Sequence, residues 1–219
     1  MKMIEKNTIL EAIKKLRADS NKRKFSQSFD LIVKLTGLDL KKNEEQIDFF
    51  VPLHYSKGKK SKICALVGME LLEEAKKYFD TTIVQDEFIQ YDDKKKLKKL
   101  AEDHAFFVAQ ANIMPAIAKT FGKVLGTRGK MPNPKAGCVV PPKANLKPLY
   151  DKLQKTVRIK AKTALMSQSV VGSEEMNDEE IADNILTIHT QLIQHLPNHE
   201  NNISKMLLKL TMSKPVEIK

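Results

Sequence analysis

Ile9, Leu10, Ile13 and Leu16 recur at helical intervals behind Asn7 and Thr8, two residues suited to an N-cap, and predict an opening helix that ends before the polar run Asp19 to Lys24. Phe29, Leu31, Val33 and Leu35 then alternate with Asp30, Ile32 and Lys34, which predicts a strand with one strongly buried face. Gly37 and Asp39 break it, and Ile47, Phe49 and Val51 alternate again before Pro52. After Lys57-Gly58-Lys59-Lys60 the pattern changes. Ile63–Val67 is a continuous apolar run followed by Gly68 and a helix through Leu71, Leu72, Ala75 and Phe79, the order expected of a strand buried on both faces and its crossover helix. A short strand at Thr81–Val84, a lysine-rich helix from Asp92 to about His104, the run Ala105–Ala109 and a helix from Ile113 to Phe121 continue the alternation.

Beyond Pro142 a helix around Leu146–Leu153 leads to strands at Val157–Lys160 and Leu165–Val171, a return to the two-strand style of the first 55 residues. Asn177 caps a long helix with Asp178, Glu179 and Glu180 in its first turn and Ile181, Ile185, Ile188 and Leu192 on its apolar face; Pro197 stops it, and Met206 to Met212 alternate in a final strand. The expected architecture is therefore α/β and α+β in two domains. Residues 1–61 and 148–219 form a split α+β domain, and residues 62–147 an inserted Rossmann-like three-layer α/β domain. Two chain crossings between them would make a hinge.

Charge changes the picture of partners. Thirty-eight Lys and Arg stand against 27 Asp and Glu, a formal net charge of +11, which favours a polyanion. The excess lies before residue 148, since the remainder is balanced. Cys64 and Cys138 have neither zinc-site nor disulfide spacing, which suits a reducing, intracellular setting. With no signal-like start and no long apolar run, a soluble, cytoplasmic protein with no membrane partner is expected. Tryptophan is absent and aromatics make up 6% of the chain, so nucleic-acid contacts would rest on backbone, Lys, Arg and hydroxyl groups.

Four of the eight glycines and four of the nine prolines fall between Gly122 and Pro142, reading as a shaped loop that carries Arg128, Lys130 and Lys135. It is not a phosphate-binding loop: Val124 stands where a Walker motif needs glycine, and Met131 where it needs Ser or Thr. The glycine spacing also departs from the dinucleotide pattern. A rigid connection and an anion-binding loop both remain open. The five histidines are scattered, no nucleophile has a base nearby in sequence, and no cofactor motif appears, so no enzyme is expected. Lys94, Lys95, Lys96, Lys98 and Lys99 read as a solvated helix face with Leu97, Leu100 and Ala101 turned inward, a binding surface being the alternative. Lys22-Arg23-Lys24-Phe25 fits either a phosphate and sugar clamp or a basic turn with Phe25 in the core. Alternation places Arg158, Lys160 and Lys162 on one strand face as a basic strip.

The stretch Leu125-Gly126-Thr127-Arg128-Gly129-Lys130-Met131-Pro132-Asn133-Pro134-Lys135-Ala136-Gly137 closely resembles the signature of the ribosomal protein L-one family, which has proline where Thr127 stands. Three collinear segments agree: Arg23 to Phe29, Val171-Gly172 with Asp183-Asn184-Ile185, and Lys209-Leu210-Thr211-Met212-Ser213. The resemblance implies a non-catalytic protein, a monomer within the ribosome, whose split domain grips large-subunit rRNA at the mobile stalk while the inserted domain swings as deacylated tRNA leaves the exit site. Members also repress translation of their own mRNA. Carried over, Lys24, Phe25 and Ser28 would touch rRNA from the early segment, Lys160 and Ser169 from paired return strands, and Thr211, Met212 and Ser213 from the terminal strand. Arg128, Lys130 and Lys135 become candidate tRNA contacts. The family has glycine at Ser213, where close backbone approach to RNA would be altered, and Thr127 would loosen one turn of the loop. The rivals are an off-ribosome RNA-binding repressor and a nucleotide-using enzyme on the inserted domain.

Overall fold

The computed structural model describes residues 4–21, 23–91 and 93–218. Lys22 of the basic turn and Asp92, expected to open the lysine-rich helix, lie outside them. The chain forms two compact units, one from the residues before Lys60 and after Gln154, the other from Lys60–Gln154.

The first unit is α+β. Helix α1 (Lys6–Asp19) follows Glu5 with no side-chain cap, so neither Asn7 nor Thr8 caps it and both lie inside the helix. Burial compensates: Ile9, Ile13 and Leu16 are at most 1% exposed, each worth about 1.5–3 kcal/mol against roughly 1 kcal/mol for a missing cap. Strand β1 (Ser28–Leu35) alternates buried and half-buried residues as expected, and β2 (Ile47–Pro52) does the same. The return strands β7 (Thr156–Ala161) and β8 (Met166–Ser173) do not pair with each other. Antiparallel β7 joins β2 in a two-stranded sheet, while β8 joins β1. Helix α6 (Asp178–His195) starts at Asn177, whose N–H donates to Glu180. Strand β9 (Ile203–Leu210) stops before Thr211 and Met212, which occupy the turn leading to the two-residue β10 (Val216–Glu217), so the terminal strand is shorter than the alternation suggested. The four-stranded sheet runs β10-β9-β1-β8. Its inner face, with Phe29, Leu31, Val33, Met206 and Leu208, shares one core with α1 and with Ile181, Ile185, Ile188 and Leu192 of α6.

The intervening unit is Rossmann-like α/β, and its elements follow in chain order: β3 (Ile63–Val67), α2 (Leu72–Tyr78), β4 (Thr81–Val84), α3 (Lys94–Asp103), β5 (Phe106–Gln110), α4 (Met114–Thr127), β6 (Val139–Val140) and α5 (Leu146–Lys155). The parallel sheet has the order β4-β3-β5-β6. All five β3 residues are buried. Cys64 and Leu66 meet Leu97, Ala101, Ile117 and Phe121 of α3 and α4, while α2 packs against β3.

Helix α4 runs six residues beyond Phe121, through Gly122 and Gly126, so the glycine-rich stretch begins as helix. Leu125, 1% exposed, repeats the inward spacing of Ile117 and Phe121, and its burial offsets two glycines at roughly 1 kcal/mol each. Gly129 ends the helix at φ +65°. Its N–H reaches Gly126 O at 2.9 Å, and the Lys130 N–H reaches Leu125 O at 2.8 Å, which together make a Schellman stop.

Candidate nucleic-acid interface

The segment before β1 and the turn after β9 meet at one end of the four-stranded sheet. Ser28 N–H donates to Thr211 Oγ1 at 3.1 Å, and the Thr211 N–H donates to Ser28 O at 3.1 Å. Between them stands Gln27, 1% exposed. Its Oε1 accepts from the Met212 N–H at 3.2 Å, its Nε2 donates to Ser20 Oγ at 3.0 Å, and its N–H donates to Glu174 Oε2 at 3.2 Å. One buried amide thus ties the end of α1, the start of β1 and the turn after β9. The Ser26 and Ser173 hydroxyls lie 3.5 Å apart beside it. Below, the guanidinium of Arg17 bonds Asp178 Oδ1 and the carbonyls of Glu174 and Met176 at 2.6–2.8 Å and lies 5.4 Å from the Phe29 ring centroid.

On this frame two apolar side chains face solvent. Phe25 is 51% exposed, so it does not enter the core, and Met212 is 61% exposed. Lys24 and Thr211 are exposed, and Ser28 and Ser213 are half-buried. Ser213 has an ordinary φ, because His199 is the single non-glycine with positive φ among the described residues. Its hydroxyl accepts from the Leu210 N–H at 2.8 Å and closes the turn. Nothing in the backbone here requires glycine.

The remaining expected contacts lie elsewhere. Ser169, opposite Leu31 in mid-sheet, is about 13 Å along β8 from Ser173. Lys160 is exposed on the separate two-stranded sheet, opposite Asp48. The anticipated basic strip is largely spent, since Arg158 forks onto both Asp48 oxygens at 2.6 and 2.7 Å and Lys162 joins at 2.9 Å. These contacts, the Arg158 bonds foremost, hold the Asp48 carboxyl down to about 2. Asp48 itself, with a side chain 17% exposed, was invisible to a reading of cations along β7.

The loop cations are spent in the same way. Arg128 reaches Glu102 at 2.8 Å. Lys130 Nζ donates to Ala101 O and His104 O at 2.6 and 2.7 Å, so it closes the C-terminal end of α3; burial foremost, with Arg128 nearby, lowers its pKa. Lys135 is exposed. Asn133 Oδ1 accepts the Lys135 N–H, and Gly137 at φ +77° completes a second tight turn. Thr127 loosens no turn: it is the last residue of α4, and its hydroxyl is 3.1 Å from both Lys123 O and Val124 O.

The parallel sheet places its topological switch between the C-terminal ends of β3 and β5, where nucleotides bind in folds of this type. Gln110, 1% exposed, fills that crevice: its Oε1 accepts from the Gly68 N–H at 2.8 Å and its Nε2 donates to Glu70 at 3.2 Å. Burial pushes the thiols of Cys64 and Cys138 up to about 12 and about 11, away from thiolate chemistry. Among the described residues, no His, Cys, Asp and Glu cluster of metal-binding size occurs, and no helix is long and apolar enough to cross a membrane.

Gln27 was the functional residue missed. It continues the inward parity of Phe29 and Leu31, and a polar residue at an inward position just ahead of a strand was the readable signal.

Comparison with known proteins sets these features in context. The model of the "Ribosomal protein L1p/L10e family" matches residues 14–214. "Large ribosomal subunit protein uL1" of Nanoarchaeum equitans is 41% identical, the match covering 95% of this chain and 98% of that protein. The protein of the same name from Methanothermococcus thermolithotrophicus is 39% identical over 98% and 99% of the two chains, and that of Methanocaldococcus jannaschii 36% over 99% and 97%.

Proposed function

Because the chain belongs to the ribosomal protein L1p/L10e family, a family of structural rather than catalytic proteins, we propose that it is a constituent of the large ribosomal subunit that holds folded large-subunit rRNA at the mobile stalk. The observation that carries this reading is the pair of solvent-facing apolar side chains, Phe25 and Met212, set on a buried hydrogen-bond frame and bordered by Ser28, Thr211 and Lys24. Isolated exposed hydrophobics are ordinary, but here Met212 is anchored by the buried Gln27 amide and Phe25 stands two residues before Gln27 in the chain, and we read the two as one platform. Phe25 can stack on a base or sugar, Met212 can pack beside it, and the hydroxyls and backbone can bond 2′-OH and phosphate groups. Assistance to deacylated tRNA leaving the exit site belongs to the same proposal, with Lys135 as the displayed cation of its loop. So does repression of the protein's own mRNA, through a structure mimicking the rRNA site. The nucleotide-enzyme reading has no support from a switch-point crevice occupied by Gln110.

The test is binding of a stalk rRNA fragment by Thr211→Ala/Met212→Ala. Affinity is expected to fall about tenfold to a hundredfold, with a Tm shift of only a few degrees. Unchanged affinity would sink the proposal. Sedimentation with intact large subunits separates a ribosomal constituent from an off-ribosome repressor, which would stay at the top of the gradient.

A further inference from the structure

The five lysines of α3 are absorbed by no role given above, yet they are placed against the chemistry of their own helix. Lys94, Lys95 and Lys96 occupy its first turn, which contains no acid, at the positive end of the helix dipole. Lys98 and Lys99 follow, so that Lys94 with Lys98 and Lys95 with Lys99 are like-charged pairs at i,i+4 spacing, each repulsive. All five are exposed. Lys119 and Lys123 add another such pair on the exposed side of α4, which packs against α3. None of these seven ammonium groups joins an ion pair among the described residues. Of the acids on this helix, Asp93 caps the Lys95 N–H at 2.8 Å and Glu102 holds Arg128, which leaves exposed Asp103, four residues after Lys99, against five lysines. A surface that departs from local charge rules without an internal partner marks a place where function outweighs stability.

We infer that the outer face of α3 and α4 is a second RNA-binding surface, separate from the platform of the first unit, that takes a phosphodiester backbone by charge and without reading sequence. The identity of the polyanion as RNA rests on the ribosomal reading above; the polyanion-binding face itself does not. An RNA backbone relieves the self-repulsion by inserting phosphates among the ammonium groups and releasing condensed counterions. A lipid surface fits less well, because Leu97 is buried, Leu100 half-buried, and the exposed face of α3 offers no apolar side chain to enter a bilayer.

The experiment uses the full chain carrying Lys95→Gln/Lys98→Gln/Lys99→Gln, with poly(A)·poly(U) duplex as a sequence-free probe, titrated over a range of salt. Affinity is expected to fall about tenfold or more at low salt, and the log–log salt slope to become shallower by about 2–3. Glutamine keeps helix propensity, so the Tm should rise at low salt and the gain should fade at high salt. The same change on the Thr211→Ala/Met212→Ala background should weaken duplex binding equally, so failure of the first platform and failure of this face are read separately. Unchanged duplex affinity and slope would overturn the inference. A Tm that does not rise would remove the repulsion on which it stands. Loss of binding to phosphatidylserine vesicles with no loss on the duplex would replace RNA with a membrane.

Discussion

The loop Arg128 to Gly137 and the turn Thr211 to Ser213 carry opposite kinds of residue, and the contrast between them is instructive. The loop is rich in cations, but Arg128 and Lys130 point back to Glu102 and to the last carbonyls of α3. The turn carries no cation of its own; it shows solvent an apolar side chain held by a buried amide. The two-stranded sheet repeats the lesson of the loop, with Arg158 and Lys162 gathered by Asp48. Formal charge therefore locates a partner poorly until each cation's own contacts are known.

Gln27→Ala gives the largest break in that contrast. The change strands the Met212 N–H and leaves a cavity among three chain segments, at about 1–3 kcal/mol of stability. Because Met212 then loses its one side-chain anchor while Thr211 and Ser213 keep theirs, affinity for the stalk rRNA fragment should fall about tenfold. Gln27→Glu keeps the acceptor for Met212 but buries a carboxylate beside Glu174, so its chemical-denaturation midpoint should be low at neutral pH and recover toward that of the parent chain in acid. Full RNA affinity in Gln27→Ala would show that the turn positions itself without the amide.

Asp48→Asn comes next. Arg158 and Lys162 lose their anion, and because the pair is partly solvated the expected loss is about 1–2 kcal/mol near neutral pH. The folded carboxyl titrates at about 2, below its unfolded value near 3.8. Its contribution is therefore fully present above pH 3.8 and is lost as the pH falls through 2, so the stability profiles of Asp48→Asn and the parent chain should converge in acid. RNA binding should not weaken, since the substitution releases two cations. A fall in affinity with an unchanged fold would place Asp48 and its partners in the interface after all.

Lys130→Met and Lys135→Met divide the loop. The first removes two short bonds at the end of α3 and should lower stability by about 0.5–1.5 kcal/mol, with affinity for a transfer RNA held within about twofold. The second, at an exposed side chain, should leave the Tm alone and weaken transfer RNA binding by a few-fold. Reversed outcomes would mean that the loop reorganises when it meets RNA.

Period and burial account for what could be read in advance. The alternation of Phe29, Leu31 and Val33, the unbroken run Ile63–Val67 and the apolar stripe of α6 each report a face held against a core, and such faces are local properties of the chain. What could not be read depends on residues distant in sequence. No pattern within β7 and β8 says that β7 will choose β2, because an alternating strand suits any antiparallel neighbour. Helix α4 crosses Gly122 because buried Leu125 lies beyond it. Two-residue β6 has no period at all. At the candidate interface, Thr211 and Met212 were legible as a motif, but the bond from Met212 to Gln27 spans 185 positions and has no local trace.

An effect as small as that at Lys130 is expected at Ser213, and it tests whether the turn is closed by its backbone or by its side chain. The resemblance led to an expectation of glycine here, yet the residue's φ is ordinary and the serine hydroxyl accepts the Leu210 N–H at 2.8 Å. Ser213→Gly removes that bond and adds chain entropy to the unfolded state, so stability should fall by about 0.5–1.5 kcal/mol. A second closure persists, because the Ser213 N–H donates to Leu210 O at 3.1 Å and Gln27 still holds Met212. RNA affinity should then stay within about twofold, the platform of Phe25 and Met212 being intact. A tenfold gain in affinity would carry the opposite message: the RNA backbone would approach closely enough at this point for the missing Cβ to matter, and the serine would be a steric limit on the grip.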